Sequence, residues 1–180
     1  DRAVKLLDEA SIPYVLAIGN HDYKWKEPYT RSANNFNRWF GPDRYKTRKW
    51  YAGNHPAGSN ENFYGLFTFE GQDYLVLALE FYPRDATLQW ASRVLERHND
   101  RFAILVTHAF LGMEGERITA GEWNNAEYWK VGQDNDGEEL WRTPVGQHQN
   151  DNLSEIPEGE TVVVLPGTLG GVDTPMALAN

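Results

Sequence analysis

The chain has 180 residues, of which 41% are apolar and none is cysteine, and its formal net charge at pH 7 is −9. This length and apolar content fit one domain, and the absence of cysteine excludes disulfides and thiolate metal sites. The negative charge argues against binding a nucleic-acid backbone, which requires basic surface. No apolar run approaches the length that spans a membrane.

The first elements along the chain are a helix and a buried strand. The sequence predicts a helix from Arg2 to Ala10, and the five apolar residues Tyr14–Ile18 predict a strand buried on both faces, as in a parallel sheet. Ligands of such sheets bind outside the carboxyl ends of the strands. The quartet Gly19–Asp22, Gly-Asn-His-Asp, follows at that position. Its amide, imidazole and carboxylate groups can bind a metal ion or move a proton.

An aromatic-rich insertion, residues 23–60, follows the quartet. Within it we expect a helix from Tyr29 to Phe40, closed by Gly41 and Pro42. Large aromatic side chains favour the interpretation that they staple the insertion to the body of the domain. In the alternative, exposed Trp and Tyr side chains stack on sugars or bases, and the chain is a non-catalytic ligand- or carbohydrate-binding module. The aromatics concerned are Tyr23, Trp25, Tyr29, Phe36, Trp39, Phe40, Tyr45, Trp50 and Tyr51.

The middle of the chain predicts a hairpin, a helix and a second buried strand. Apolar residues alternate with small or polar residues over 62–69, and Gly71-Gln72 separates this run from residues 74–81. The two runs predict an antiparallel hairpin. A predicted helix begins near Thr87 and has one apolar face. The apolar run Phe102–Val106 then predicts a strand that ends in Thr107 and His108. The helical face consists of Leu88, Ala91, Val94 and Leu95.

The last third of the chain contains an acidic stretch that resembles a calcium loop at first sight. The spacing of its carboxylates fails the EF-hand pattern. Asp136, with Glu139 three residues on, is better interpreted as the N-cap of a helix with a capping box. A later apolar run, Thr161–Leu165, predicts another strand, and no histidine follows it.

The quartet after one strand and Thr107-His108 after another resemble the third and fourth signatures of the calcineurin-like metallophosphoesterases. The resemblance extends over most of residues 1–141. It implies an α/β fold, a metallophosphoesterase-type sandwich of two mixed β-sheets flanked by helices. Residues 1–180 would then be one partial domain, with the insertion at 23–60, that holds the central and later part of the fold.

The resemblance also implies roles for four residues in the hydrolysis of phosphate mono- or diesters. Asn20 and His108 would bind one ion of a centre with two divalent metals, His21 would protonate the leaving group, and Asp22 would orient His21. The residue types suit this chemistry, because divalent ions accept oxygen and nitrogen ligands and a general acid should titrate near neutral pH. The expected partner is a small phosphoester substrate.

Several ligands of the family site are not found in the sequence. The first signature, Asp-x-His, the second, Gly-Asp, and the fifth, Gly-His-x-His, are not present, and His148 has no histidine two residues later. Two divalent ions about 4 Å apart repel each other and need bridging anions, whereas Asn20 and His108 are neutral ligands. We therefore expect a partial or impaired site, which is either part of a longer enzyme or has lost catalysis.

The two remaining histidines, His55 and His98, are expected at the surface and outside the site. The combination of no cysteine with many Trp and Tyr residues favours an exported bacterial hydrolase. The sequence does not indicate an oligomeric state.

Overall fold

A four-stranded sheet and five α-helices form the computed structural model, which describes residues 2–23, 31–112, 116–119 and 134–148. Strand β1 comprises Tyr51–His55, β2 Asn62–Phe69, β3 Gln72–Ala78 and β4 Phe102–Val106. The helices are α1 (Arg2–Glu9), α2 (Asn34–Phe40), α3 (Pro42–Tyr45), α4 (Asp85–Arg97) and α5 (Gly137–Trp141), and a 3₁₀ turn covers Asn20–Asp22. None of the described helices is long and apolar enough to cross a membrane.

The sheet has the strand order β1-β2-β3-β4 and is mixed. Strand β2 is antiparallel to both β1 and β3, whereas β3 and β4 are parallel. The predicted hairpin is therefore confirmed, as is the strand that precedes His108. The mixed α/β class is also confirmed, and the strands of the described residues form this one sheet.

The main core lies between the sheet and α4. Leu88, Ala91, Val94 and Leu95 are buried in α4, which confirms the predicted apolar face. They pack with leucines of β3 and of the segment after it, and α5 adds Leu140. The predicted capping box is also present, because Asp136 Oδ1 accepts a hydrogen bond from Glu139 N at 2.9 Å and Glu139 Oε2 accepts one from Asp136 N at 3.0 Å.

The predicted strand at Tyr14–Ile18 is wrong, because residues 12–19 have no regular secondary structure. The run is nevertheless used for packing: Ile18 is fully buried, and Tyr14 and Val15 pack partly buried against an aromatic cluster. Among the described residues no strand pairs with this segment. Apolar content alone does not distinguish a paired strand from a buried extended segment.

Two further predictions concern the insertion and the end of the chain. Helix α2 ends at Phe40 as predicted but begins at Asn34, since residues 31–33 are not helical. Arg31 is engaged in contacts with distant backbone carbonyls, and such tertiary contacts override helix propensity. Tyr29 and the predicted strand Thr161–Leu165 lie outside the described residues.

Most described aromatic side chains of the insertion pack against the body of the domain, as the first interpretation predicts. Tyr45 is fully buried and stacks on Phe63 of β2 with ring centroids 5.7 Å apart, and Trp50 packs against Tyr45. Trp39 is the exception, with 52% of its surface exposed. Trp25 lies outside the described residues.

Candidate active site

The candidate site lies beside the carboxyl ends of the parallel strands β3 and β4. The pairing of these strands continues beyond Ala78, because Leu79 N donates a hydrogen bond to Val106 O at 2.9 Å. Thr107 is fully buried next to this pair, and His108 follows it. A crevice at this end of parallel strands is where α/β sheets place ligands.

Asn20 and His108 meet at this position although 88 residues separate them in the sequence. Oδ1 of Asn20 lies 3.1 Å from Nε2 of His108. Asn20 is only 2% exposed, and His108 is half-buried. The two side chains are therefore in contact, whereas their roles as metal ligands stay predictions.

A tight turn presents the quartet. Gly19 N donates a hydrogen bond to Asp22 Oδ2 at 2.9 Å, and Asp22 N donates one to Gly19 O at 3.1 Å. Asn20 Oδ1 also accepts a hydrogen bond from His21 N at 3.0 Å. The carboxylate of Asp22 therefore closes the turn, and its predicted role in orienting His21 stays a prediction.

The site differs sharply in exposure from one quartet residue to the next. His21 and Asp22 are exposed, whereas the adjacent Asn20 is buried. Burial lowers the pKa of His108 below its ordinary value, the Asp22 carboxylate partly offsets this, and His21 lowers the pKa further. Burial therefore favours the neutral imidazole of His108, in which one ring nitrogen carries a proton and the other a lone pair.

A small apolar cluster packs beside the site. It includes Ile18 and Tyr23, which bracket the quartet, and Ala109, which follows His108. Phe81 and Tyr82 join it from the segment after β3, and the Phe81 ring centroid lies 5.4 Å from that of His108. The segment that carries Asn20 and the segment that carries His108 are thus each anchored in the core immediately beside these polar residues.

A buried network of charged residues adjoins this cluster, and the sequence analysis missed it. Glu80 is fully buried, and Arg84 donates to both of its carboxylate oxygens, Nε to Oε1 at 3.0 Å and Nη2 to Oε2 at 2.7 Å. Thr87 donates to Oε1 as well. Burial alone would raise the pKa of Glu80, but Arg84 and Arg31 outweigh it and the net shift is downward. In the sequence, the feature that could have indicated this network is a charged residue, Glu80, that directly follows the apolar run of β3.

The two donor atoms of Asn20 and His108 fit neighbouring positions around one ion. Ligand atoms about 2.1 Å from a common ion lie about 3 Å apart when their bonds meet at a right angle. Among the described residues, however, no group of three or more His, Asp or Glu side chains is arranged to hold a metal. The described donors fit part of one metal site and do not form a complete dinuclear centre.

The other histidines lie apart from Asn20 and His108. His55 stacks on Trp90 with ring centroids 5.5 Å apart, and His98 packs against Tyr64 at 5.6 Å. Both are half-buried rather than fully at the surface as expected, and burial lowers the pKa of each. His148 lines a cleft between α4 and the turn after α5, with Leu95 and Pro144.

Comparison with known proteins gives one curated relative at significant similarity. The chain is 35% identical over 122 residues to the uncharacterized protein YvnB of Bacillus subtilis (strain 168). The match covers 68% of this chain and 9% of YvnB, so the chain corresponds to a small part of that protein. No family model matches the chain, and no solved structure matches it significantly.

Proposed function

We propose that this chain contributes to the active site of a metal-dependent phosphoester hydrolase of the metallophosphoesterase type. The observation that carries the proposal is the 3.1 Å approach of Asn20 Oδ1 to His108 Nε2 beside the ends of β3 and β4. These neutral oxygen and nitrogen donors are of the types that divalent metals bind. The exposed imidazole of His21 on the same turn adds a group suited to proton transfer.

Each residue has a defined task in the proposed reaction. Asn20 and His108 would hold a divalent ion, which would polarise the phosphoryl group and acidify a water molecule. His21 donates a proton to the departing oxygen of the substrate, because an alkoxide leaves poorly without one. The Asp22 carboxylate holds the turn through its hydrogen bond from Gly19 N. The substrate class is a small phosphate mono- or diester.

The anionic ligands of the proposed centre have to come from residues other than Asn20 and His108. Both described donors are neutral, and a second divalent ion would require bridging anions. The proposed enzyme is longer than this chain, as YvnB is, and the four-stranded sheet is one of the two sheets of a sandwich. The burial of Ile18 and the packing of Tyr14 and Val15 against the aromatic cluster support an extended segment that packs on this sheet.

Separate variants test metal binding and proton donation. Zn²⁺ binding is measured by titration calorimetry, and hydrolysis is measured with mono-aryl and bis-aryl phosphates. We expect His108→Gln and Asn20→Ala to weaken Zn²⁺ binding. We expect His21→Ala to keep Zn²⁺ binding and the fold but to lower the hydrolysis rate by about 10²–10⁴-fold, the contribution of general acid catalysis.

His98→Gln is the matched control, because His98 is a half-buried histidine that packs against Tyr64 instead of the site. It should change neither Zn²⁺ binding nor hydrolysis. Zn²⁺ binding by His108→Gln at the wild-type affinity would remove His108 from the proposed site. Full activity of His21→Ala would remove His21 from its role.

A further inference from the structure

We propose that Arg31 is a positioning residue that holds the Asn20–His108 pair at ligand spacing, an inference that rests on the proposed function. Arg31 lies in the insertion, and its side chain is 9% exposed. It reaches the segment after β3, the residue after the quartet, and a late acidic residue.

The guanidinium of Arg31 binds the backbone directly after β3. Nη1 donates to Phe81 O at 2.8 Å, and Nη2 donates to Tyr82 O at 2.7 Å. A planar guanidinium can hold two successive carbonyls because its donors form a fixed fork. The arginine therefore fixes the path of this segment, which a single point charge would do less well.

This backbone needs such support because it adopts an unfavourable conformation. Tyr82 has a φ of +48° although it carries a large side chain and is nearly fully buried. Left-handed backbone at a bulky residue is strained, and such residues persist where their surroundings hold them in place and cluster at functional sites. The hydrogen bond from Arg31 to the carbonyl of this same residue stabilises the strained conformation.

The segment that Arg31 holds contacts His108, one of the two proposed metal ligands. The ring of Phe81 packs on that of His108 with centroids 5.4 Å apart. On the other side, the guanidinium carbon lies 5.7 Å from the centroid of the Tyr23 ring, and Tyr23 directly follows the quartet that carries Asn20. One side chain thus contacts a support of each ligand.

Two buried carboxylates anchor the guanidinium. Nη1 lies 3.3 Å from Glu80 Oε2, and Nη2 lies 2.7 Å from Asp134 Oδ2, as an ion pair rather than an aligned hydrogen bond. Buried ion pairs of this kind hold their partners in defined positions. Each terminal nitrogen of Arg31 thus contacts one buried carboxylate and one backbone carbonyl.

Arg84 provides a matched control for the test. It shares Glu80 with Arg31 and also pairs with Glu61, with Nη2 3.0 Å from Oε2. Among the described residues, the hydrogen bonds of its side chain all go to these carboxylates. Replacement of Arg84 therefore perturbs the same charge network without removing donors from Phe81 and Tyr82.

The experiment compares Arg31→Lys with Arg84→Lys in two readouts. The first is the NMR signal of His108 Cε1–Hε1 in metal-free protein, and the second is Zn²⁺ affinity by titration calorimetry. For Arg31→Lys we expect a shifted His108 signal and about a 10–100-fold loss of affinity, the usual cost of removing a group that orients metal ligands. For Arg84→Lys we expect an unchanged signal and an affinity within about twofold of the wild type, because no support of a ligand is lost.

Two outcomes would overturn the proposal: an unchanged His108 signal in Arg31→Lys, or equal changes in Arg31→Lys and Arg84→Lys. If Arg31→Lys does not fold, Asp134→Asn replaces it, because it removes one anchor of Arg31, and a smaller shift of His108 in the same direction is expected. Failure of the wild-type chain to bind Zn²⁺ would count against the proposed function alone, since the signal of metal-free His108 still decides the role of Arg31.

Discussion

At the residue scale, Gly19 packs directly against the imidazole ring of His108. A Cβ atom at this position would lie 3.3 Å from both Cε1 and Nδ1 of the ring, which is closer than ordinary van der Waals contact. The backbone of Gly19 has φ −99° and ψ 173°, a conformation open to any residue. Glycine thus leaves room for the ring, because a Cβ atom here would require the imidazole or the turn to shift by a few tenths of an ångström.

The ionisation of His108 gives the first prediction. Burial disfavours the imidazolium, whereas the Asp22 carboxylate favours it. We expect an NMR titration of metal-free protein to place the pKa of His108 below about 6.5, the value of an unperturbed histidine. Asp22→Asn keeps an oxygen that can accept from Gly19 N but removes the charge, so the pKa of His108 should fall further. A rise in the pKa of His108 in this variant would contradict the effect assigned to the Asp22 carboxylate.

The lowered pKa of His108 also makes the free energy of unfolding depend on pH. Just below pH 6.5 the unfolded chain protonates this histidine while the folded state leaves it neutral. The contribution of His108 to the free energy of unfolding is therefore complete above pH 6.5 and decreases as the pH falls below that value. His55 and His98 have pKa values shifted in the same direction by burial, and they act with the same sign.

At the element scale, the β2–β3 hairpin closes through the two residues Glu70 and Gly71. Phe69 pairs with Gln72 across the turn, and Glu70 and Gly71 have φ values of +49° and +82°. Positive φ at both central residues is the feature of a type I′ turn, whose twist matches that of the flanking strands. Glycine suits its position, whereas glutamate does not.

This mismatch predicts a stabilising substitution. Asn adopts left-handed backbone more readily than Glu, so Glu70→Asn should raise the free energy of unfolding by about 0.5–1 kcal/mol. Urea denaturation measures the change. Glu70→Ala is the control, and its effect should stay within about 0.5 kcal/mol because alanine has no such preference. A destabilised Glu70→Asn would show that the turn does not limit the hairpin.

The segment Tyr14–Ile18 shows a limit of sequence reasoning at this scale. Its five apolar residues are as strand-like as Phe102–Val106, yet only the latter forms a strand, paired with β3. A strand exists through hydrogen bonds to a neighbour, and the neighbour is not encoded in the segment itself. The hairpin was predictable because its two strands are adjacent in the chain and one turn sets their register.

At the scale of the whole molecule, β3 joins the core to the site. Leu77 pairs with Tyr64 of β2 and with Leu105 of β4, and its side chain packs in the core cluster beneath α4. The chain then continues from this strand to Glu80 and Phe81, which adjoin the site. Packing of the main core therefore sets where the carboxyl end of the sheet presents its side chains.

Truncation in this core tests the architecture. Leu77 is 1% exposed, so Leu77→Ala should lower the free energy of unfolding by about 2–5 kcal/mol, through lost burial and a cavity. Leu6 is 65% exposed on α1. Leu6→Ala should therefore change the free energy of unfolding by no more than about 0.5 kcal/mol. Equal effects of the two substitutions, measured by urea denaturation, would contradict the described core.

The sequence by itself determined the local features: the helices α1 and α4, the hairpin, the capping box of α5, and the candidates Asn20 and His108. These follow from periodicity, capping chemistry and short motifs, which act over neighbouring residues. Only the tertiary structure decided that residues 14–18 stay unpaired within the described chain and that Arg31 contacts Phe81, Tyr82 and Tyr23. Such contacts join residues far apart in the chain, and their free energy depends on burial and geometry that exist only after folding.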